Sequence, residues 1–286
     1  MQVFELDCIG THLQLIVDTS SSCDEDFSHI RSYILDFESR YSRFVADNWL
    51  NILNKQRIWS LPKDAKNMIE YAIEVAKNTN GYFDPTIGKR LTELGYGNKN
   101  IVTISSNSEN KKWFGDYRDI EIVWDELKLH GDIELEFGGV GKWYLIDIIK
   151  YILDKYPRFL INFGGDLYGR GNWEVGLESP FASDEVIGTI ILVDDFLACS
   201  SGSKRKWGND HHLIDPHTGV SATEVVATYI EWHSWMTVDI YATALCVMPW
   251  NIACETFLKI SEISGVIVWK DGNIFQKEGS RVALFE

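Results

Sequence analysis

The spacing of apolar side chains along the chain predicts four helices. In residues 24–40 an apolar side chain recurs every three or four positions, which places these side chains on one face of a helix. A similar face occurs in residues 62–78, after an initial proline, and in residues 142–156, directly after a run of glycines. Residues 237–248 combine small and apolar side chains, so we expect this helix to bury one face.

Alternating apolar and polar residues predict strands, as in the segment 12–18. Further strands are predicted within residues 119–139, 158–171, 173–180 and 187–202, and a hairpin is predicted within 264–279. In residues 158–171 the strand runs into a glycine turn. Helices and strands do not alternate strictly, so the sequence predicts an α+β fold with mixed or antiparallel sheets and flanking helices. No linker or repeat divides the chain, and we expect one domain over residues 1–286.

The charge of the chain narrows the choice of partners. Of its 286 residues, 42 are acidic and 27 are basic, which gives a formal net charge of −15. Proteins that bind nucleic acids draw much of their affinity from lysine and arginine on phosphates, so this balance argues against a nucleic-acid partner. A phosphate-bearing ligand would need local compensation from a metal ion, a helix N-terminus or a well-placed lysine.

Targeting and redox signals both favour the cytoplasm. The N-terminal residues lack a basic segment followed by an apolar run, so we expect neither a secretory signal nor a membrane anchor. The five cysteines are scattered and none forms a Cys-x-x-Cys pair. This pattern favours reduced thiols over disulfides or a cysteine-based zinc site.

Two glycine-rich turns follow predicted strands. Gly138, Gly139 and Gly141 precede a helix that begins at Lys142, so backbone N–H groups and the lysine could approach a phosphate. Residues 162–166, Asn-Phe-Gly-Gly-Asp, form a similar turn. Neither segment matches a known nucleotide-binding loop, and a tight turn explains the glycines at least as well.

Asp239 and Thr243 lie four residues apart in the last predicted helix and share one face of it. A carboxylate and a hydroxyl on one face can both bind a hard cation such as Mg²⁺. A site with a single carboxylate ligand binds a metal ion weakly. The pair by itself is therefore more typical of an exposed aspartate beside a core-facing threonine.

Three of the seven histidines lie in residues 211–219, His-His-Leu-Ile-Asp-Pro-His-Thr-Gly. His211 and His212 are adjacent and point in opposite directions on a strand, and His217 follows a proline turn. The three side chains therefore do not converge as zinc ligands would. A single histidine that acts as a general base, or that donates to a phosphate, fits better. The ending Asp-Pro-x-Thr-Gly predicts a turn.

Taken together, these segments resemble the ApbE family of flavin transferases, which move FMN from FAD onto a protein. The resemblance covers most of the chain. The motifs that carry it are Ile9 to Thr11, Ser42 to Phe44, Asn54, Phe83 to Gly88, Leu94 to Gly97, Glu136 to Lys142, Asn162 to Asp166, Ser200 to Gly202, His212 to Gly219 and Asp239 to Leu245. Each motif alone is weak, but their shared order and spacing make the set specific.

The resemblance implies a metal site and a substrate site. Asp239 and Thr243 would be side-chain ligands of Mg²⁺, joined by a backbone carbonyl of the glycine turn at Gly139. Mg²⁺ completes its shell with water and phosphate oxygens, so one Asp and one Thr suffice. The substrate FAD would contact Ile9, Leu94, Gly95, Tyr96, Glu136, Lys142 and Ile214.

The implied reaction is a phosphoryl-type transfer from FAD to an acceptor protein. A Ser or Thr hydroxyl of the acceptor attacks the FMN phosphorus and AMP leaves, while Mg²⁺ neutralises charge on the bridging oxygens. His212 and Asp215 are the catalytic candidates, for proton transfer or charge stabilisation. Two alternatives stay open: an FAD pyrophosphatase that passes FMN to water, and a non-catalytic FAD-binding protein.

The same resemblance gives expectations for the side chains of the histidine segment. His212 and Ile214 share one face of a strand and would point toward the flavin nucleotide. His211 would point to the other side of that strand, and His217 would be exposed to solvent.

The chain departs from the family pattern at several positions. Glu136 replaces the usual aspartate, Trp143 replaces a small residue after the lysine, and Asn48 replaces a serine. We expect the indole of Trp143 to lie beside the lysine that contacts the flavin. The polar first half of residues 105–125 indicates an exposed loop, to which we assign no function.

Overall fold

A computed structural model describes residues 1–97, 114–232 and 235–285, with the backbone alone at 235–237. The greater part of the expected exposed loop, residues 105–113, lies outside the described residues. Across the described ranges, no helix is both long and apolar enough to cross a membrane.

The four predicted helices are confirmed, with small shifts at their ends. The helices of the described residues are α1 Asp24–Tyr41, α2 Trp49–Gln56, α3 Lys63–Asn78, α4 Gly88–Glu93, α5 Gly141–Leu153, α6 Trp235–Val247 and α7 Trp250–Lys259. Three helices, α2, α4 and α7, were not predicted, because each is too short for a clear apolar period. The departure at Asn48 has a structural role, since its side chain accepts a hydrogen bond from the backbone N–H of Asn51 and caps α2.

The strands confirm the α+β class. They are β1 Gln2–Cys8, β2 Thr11–Val17, β3 Ile58–Ser60, β4 Ile120–Val123, β5 Glu126–Leu129, β6 Phe159–Phe163, β7 Asp166–Glu178, β8 Val186–Ser201, β9 Lys206–Trp207, β10 Asp210–His211, β11 Val225–Trp232, β12 Ser264–Trp269, β13 Ile274–Gln276 and β14 Ala283–Leu284. The predicted hairpin is β12–β13, and Gly272 in its turn has φ +93°, a conformation that suits glycine.

The largest sheet has the strand order β1-β2-β6-β7-β8-β11-β12-β13, and β14 pairs with β8. Its strand pairs are antiparallel. Two small sheets accompany it, β3-β5-β4 and the hairpin β9-β10. This arrangement places the β6–β7 turn and the end of β8 near one another, and both contribute to the cavity described below.

Apolar side chains cover both faces of the large sheet. Along β6, Phe159, Ile161 and Phe163 belong to a core that also contains the apolar faces of α1 and α5. Leu160, between them, belongs to a second cluster on the opposite face. Burial of each such side chain stabilises the fold by roughly 1.5–3 kcal/mol, so both layers hold the sheet in place.

One sequence-based assignment of strands is wrong in detail and another is confirmed. Strands were predicted within residues 119–139, but the last strand of this segment, β5, ends at Leu129. The backbone of Leu135 is instead held by the side chain of Asn54, which accepts from its N–H and donates to its carbonyl. Within 158–171 the predicted strand and its glycine turn are confirmed, because β6 ends at Phe163 and Gly164 and Gly165 form the turn before β7.

Candidate active site

A cavity of about 810 Å³ lies where α6, the start of α5, the β6–β7 turn and the end of β8 meet. This volume is within the range of small-molecule and cofactor sites. Eight residues expected from the sequence lie in its wall: Tyr96, Glu136, Gly139, Lys142, His212, Ile214, Asp239 and Thr243. The structure therefore brings together side chains that are widely separated along the chain.

Helix α6 presents one face to the cavity. Asp239, Thr243 and Val247 are spaced by four residues and all three lie in the wall. The Thr243 hydroxyl is 3.3 Å from the hydroxyl of Ser200 at the end of β8. The alternative of an exposed Asp239 does not hold, because this residue is only 4% exposed.

A buried group of one lysine and two aspartates forms the charged part of the wall. Lys142 Nζ contacts a carboxylate oxygen of Asp166 and is 3.8 Å from Asp239 Oδ1. Burial raises the pKa of Asp239 against the attraction of Lys142. Burial also lowers the pKa of Lys142, while Asp239 opposes that change. The lysine thus offsets part of the cost of burying two carboxylates.

The carboxylate of Asp239 accepts no hydrogen bond from the described residues. Within the described residues, Asp239 Oδ2 is buried and accepts no hydrogen bond. An unsatisfied buried carboxylate oxygen is costly, so such an atom is a candidate for a cation ligand. The Thr243 hydroxyl and the backbone of Gly139 line the same cavity. This oxygen-only donor set, with one carboxylate, fits Mg²⁺ better than a metal that prefers histidine or cysteine.

The glycine turn before α5 is shaped by its own side chains. The backbone N–H of Gly138 donates to Glu136 Oε2 at 2.8 Å, which folds the carboxylate back over the turn. A Cβ atom at Gly139 would lie 3.0 Å from the ring of Phe83, so the aromatic ring packs directly on the backbone there. The longer Glu136 side chain is therefore accommodated in the cavity wall.

His212 has a half-buried, neutral imidazole on the cavity wall. Burial, and secondarily the charge of Arg205, lowers its pKa to about 3. Its Nδ1 atom is buried without a hydrogen-bond partner among the described residues. A neutral imidazole with an unused ring nitrogen can accept a proton or a hydrogen bond from a ligand.

Asp215 occupies a position different from the one expected of a catalytic group. It lies outside the cavity wall, and its carboxylate accepts hydrogen bonds from the backbone of His217 and the hydroxyl of Thr218. Its carbonyl also accepts from the backbone N–H of Gly219. These contacts form the predicted Asp-Pro turn, and the turn holds Ile214 in the wall.

The other two histidines differ in how well they match expectation. His211 is confirmed to lie away from the cavity, where its Nε2 is 2.7 Å from the carbonyl of Ala222. The expectation that His217 is exposed is wrong. Its side chain is only 23% exposed and packs between Asp215, the carbonyl of Asn80 and the ring of Tyr82.

Three of the expected FAD contacts, Ile9, Leu94 and Gly95, lie outside the described part of the cavity wall. From the 94–96 loop, only Tyr96 reaches the wall, while the carbonyl of Leu94 accepts a hydrogen bond from Trp207 Nε1. Ile9 packs against the core, and residues 10–12 line the cavity instead.

The expectation for Trp143 is wrong. Its indole is 5% exposed and packs against Tyr71 in the core, whereas Lys142 points into the cavity. The indole therefore does not reduce the space beside the lysine, because the two side chains leave α5 in different directions.

Sequence reasoning did not identify Lys204 and Arg205, which line the cavity. A signal for them existed, because Lys204, Arg205 and Lys206 form the chain's only run of three basic residues. Asp84 was also missed as a wall residue. Its buried carboxylate accepts hydrogen bonds from Thr86 and from the backbone of Tyr117.

The family model described as the ApbE family matches residues 9–266. The chain belongs to the ApbE family. Among curated relatives, a Klebsiella pneumoniae protein named FAD:protein FMN transferase is 26% identical over 159 residues, covering 52% of this chain and 50% of that protein. A Vibrio cholerae protein with the same name is 23% identical over 247 residues, covering 80% of this chain and 74% of that protein.

Solved structures of ApbE proteins share the fold. The ApbE protein of Thermotoga maritima superimposes with a TM-score of 0.86 at 23% identity, covering 97% of both chains. The flavin transferase ApbE of Vibrio cholerae gives a TM-score of 0.85 at 18% identity, again over 97% of both chains. These likenesses establish the ApbE architecture for nearly the whole chain.

Proposed function

We propose that this ApbE-family protein is an Mg²⁺-dependent FAD:protein FMN transferase. The acceptor is a Ser or Thr hydroxyl of another protein, and AMP is released. The names of its relatives support the reaction class. The observation that carries the proposal is the unpartnered Oδ2 of Asp239, buried beside Lys142 on the wall of the cavity.

Three residues would hold the metal. Asp239 and Thr243 would supply side-chain oxygens, and Gly139 would supply its backbone carbonyl. When bound, Mg²⁺ would neutralise charge on the phosphate oxygens of FAD. In an acidic chain the metal and Lys142 together would provide the positive charge that a diphosphate requires.

The remaining wall residues would bind and orient FAD. Lys142, fixed by its contact with Asp166, would lie against the phosphates, with backbone N–H groups of the glycine turn beside it. Glu136, Ile214 and Tyr96 would contact the rest of the nucleotide.

His212 would accept the proton of the attacking hydroxyl. The acceptor oxygen forms a bond to the FMN phosphorus, the bond from that phosphorus to the AMP oxygen breaks, and AMP carries the electron pair away. The imidazole of His212 is neutral near pH 7, so its unused ring nitrogen can accept the hydroxyl proton, and a bound phosphate anion would raise its pKa. We assign Asp215 to the turn that positions Ile214, rather than to proton transfer.

The setting of the reaction is also a proposal. We treat residues 1–286 as one domain, because the family match extends over 9–266. We place the protein in the cytoplasm, a location supported by its five free cysteines.

The proposal is tested by incubating the protein with FAD, Mg²⁺ and a flavin-acceptor domain. Covalent flavin fluorescence on the acceptor, with AMP in equal amount, is the expected result. AMP and free FMN without a labelled acceptor would replace the proposal by an FAD pyrophosphatase, and intact bound FAD would replace it by a binding protein. Asp147→Asn, an exposed aspartate on α5, is the matched control for Asp239→Asn.

A further inference from the structure

Among the described residues, three basic side chains line the cavity, and the two lysines already have carboxylate partners. Lys142 contacts Asp166. Lys204 forms an ion pair with Glu178. Arg205 is half-buried in the wall, yet its guanidinium has no hydrogen bond or ion pair within the described residues.

This lack of a partner sets Arg205 apart from the other arginines of the chain. Arg31 lies over the ring of Phe4, with 5.2 Å between its Cζ and the ring centroid. The others form hydrogen bonds or ion pairs: Arg40, Arg43, Arg57, Arg90, Arg118, Arg158, Arg170 and Arg281. The chain has 42 acidic side chains that could have paired with this guanidinium. An unpaired guanidinium that faces a cavity therefore indicates that a negatively charged group of the ligand binds to it.

The backbone around Arg205 is fixed on both sides. Before it, the N–H of Ser203 donates to the Ser201 hydroxyl, and a Cβ atom at Gly202 would lie 2.8 Å from the ring of His211. After it, Trp207 Nε1 donates to the carbonyl of Leu94 at 2.6 Å. A cation on a fixed backbone loses little conformational freedom when it binds a ligand.

Arg205 lies at the end of the cavity that contains the charged group. Burial is the main cause of the pKa shifts of Asp239, Lys142 and His212, and the charge of Arg205 contributes to each of them. Its guanidinium is therefore near the residues proposed to hold the metal and the phosphates, rather than near the remote parts of the cavity.

We propose that Arg205 binds the diphosphate of FAD through its guanidinium, as a binding residue with no role in proton transfer. This inference rests on the proposed function. A guanidinium presents paired N–H donors that match two phosphate oxygens, and it keeps its proton throughout. The ligand class it selects is a phosphorylated flavin over an unphosphorylated one.

The test compares the binding of FAD, FMN and riboflavin by the full chain, measured by flavin fluorescence in EDTA so that no metal bridges the phosphates. In Arg205→Ala we expect FAD affinity to fall by about tenfold or more, the size of a lost charge-assisted hydrogen bond. Riboflavin, which carries no phosphate, should change by less than about twofold. Arg205→Gln, which keeps most of the side-chain length, should show the same selective loss.

Lys206→Ala is the matched control, because it removes an adjacent positive charge that is exposed and lies outside the cavity wall. We expect it to bind all three flavins as the wild type does. Wild-type FAD affinity in both Arg205 variants, or equal losses for FAD and riboflavin, would overturn the role of Arg205 while leaving the proposed function intact. Failure of the wild-type protein to bind FAD, with or without Mg²⁺, would overturn the proposed function itself.

Discussion

The described residues include two groups that each combine two buried carboxylates with one cation, and the groups differ in whether they line the cavity. In the first, Arg281 binds both Asp195 and Glu231, and Glu231 also accepts from Ser280. In the second, Lys142 contacts Asp166 and lies near Asp239.

The first group joins the C-terminal segment to the large sheet. Glu231 lies on β11 and Asp195 on β8, and Arg281 precedes β14, so the ion pairs connect three strands. None of the three residues lies in the wall of the described cavity. The second group lines that cavity and leaves Asp239 Oδ2 without a partner in the described residues. The first group connects strands away from the cavity, whereas the second lies where a ligand can reach its carboxylate oxygens.

The largest expected effect is on activity, at Asp239. We predict that Asp239→Asn lowers the rate of FMN transfer by about a hundred- to a thousand-fold, the loss seen when a preorganised charge-stabilising group is removed. Its free energy of unfolding should not decrease, because the substitution removes a buried charge with an unused oxygen. Steady-state transfer assays and urea denaturation check both parts, with Asp147→Asn as the control. Near-normal transfer by Asp239→Asn would refute the metal assignment.

The complementary change is in stability, at Arg281. We predict that Arg281→Met lowers the free energy of unfolding by about 3 kcal/mol, because two buried carboxylates lose their cation. This value is at the low end for buried pairs, since the arginine side chain is 41% exposed.

The transfer rate per folded molecule of Arg281→Met should stay as in the wild type. Arg170→Met, which breaks an exposed pair with Asp154, should cost less than about 1 kcal/mol in urea denaturation. Equal destabilisation by the two variants would show that the Arg281 group stabilises the fold no more than an exposed ion pair does.

The third expected effect is on the pH dependence of stability, through His212. Its folded-state pKa of about 3 is below the ordinary value of 6.5, so the unfolded chain binds a proton more readily than the folded one. The stability associated with the neutral imidazole is therefore complete above pH 6.5 and is lost as the pH falls toward 3.

Replacement of His212 by Gln removes this proton uptake. We predict that the unfolding free energy of His212→Gln falls less steeply between pH 6.5 and pH 4 than that of the wild type, by on the order of a few kcal/mol across the interval. Urea titrations at several pH values measure the difference. Parallel curves for the two proteins would mean that the imidazole is not buried in its neutral form.

The smallest expected effect is at Asp215. Because its carboxylate bonds within the turn, Asp215→Asn should lower stability by about 1 kcal/mol and change the transfer rate by less than about tenfold. Thermal denaturation and transfer assays check these values. A loss of transfer rate as large as that of Asp239→Asn would show that Asp215 takes part in catalysis.

Periodic and spaced features were accessible from the sequence. The α6 face that carries Asp239 and Thr243 follows from helical spacing, and the glycine turn at Gly139 follows from residue type. The family resemblance then joined these separate segments into one site, which local patterns alone could not do.

Features that depend on the direction of a side chain could not be predicted from the sequence. The carboxylate of Asp215 turns into its own loop, and the indole of Trp143 turns into the core, although both residues adjoin cavity residues in sequence. Arg205 was missed because its significance comes from lacking a partner, which depends on long-range packing. The side-chain bonds of Asn54 to Leu135 join residues 81 positions apart in the sequence, so local patterns do not indicate them.

The most direct test of the metal–FAD site is FAD binding measured calorimetrically with and without Mg²⁺, in wild type and Asp239→Asn. We expect Mg²⁺ to strengthen FAD binding by the wild-type protein by about tenfold or more, and to leave binding by Asp239→Asn unchanged. The same enhancement by Mg²⁺ in both proteins would contradict the assignment of Asp239 as the residue that holds the metal.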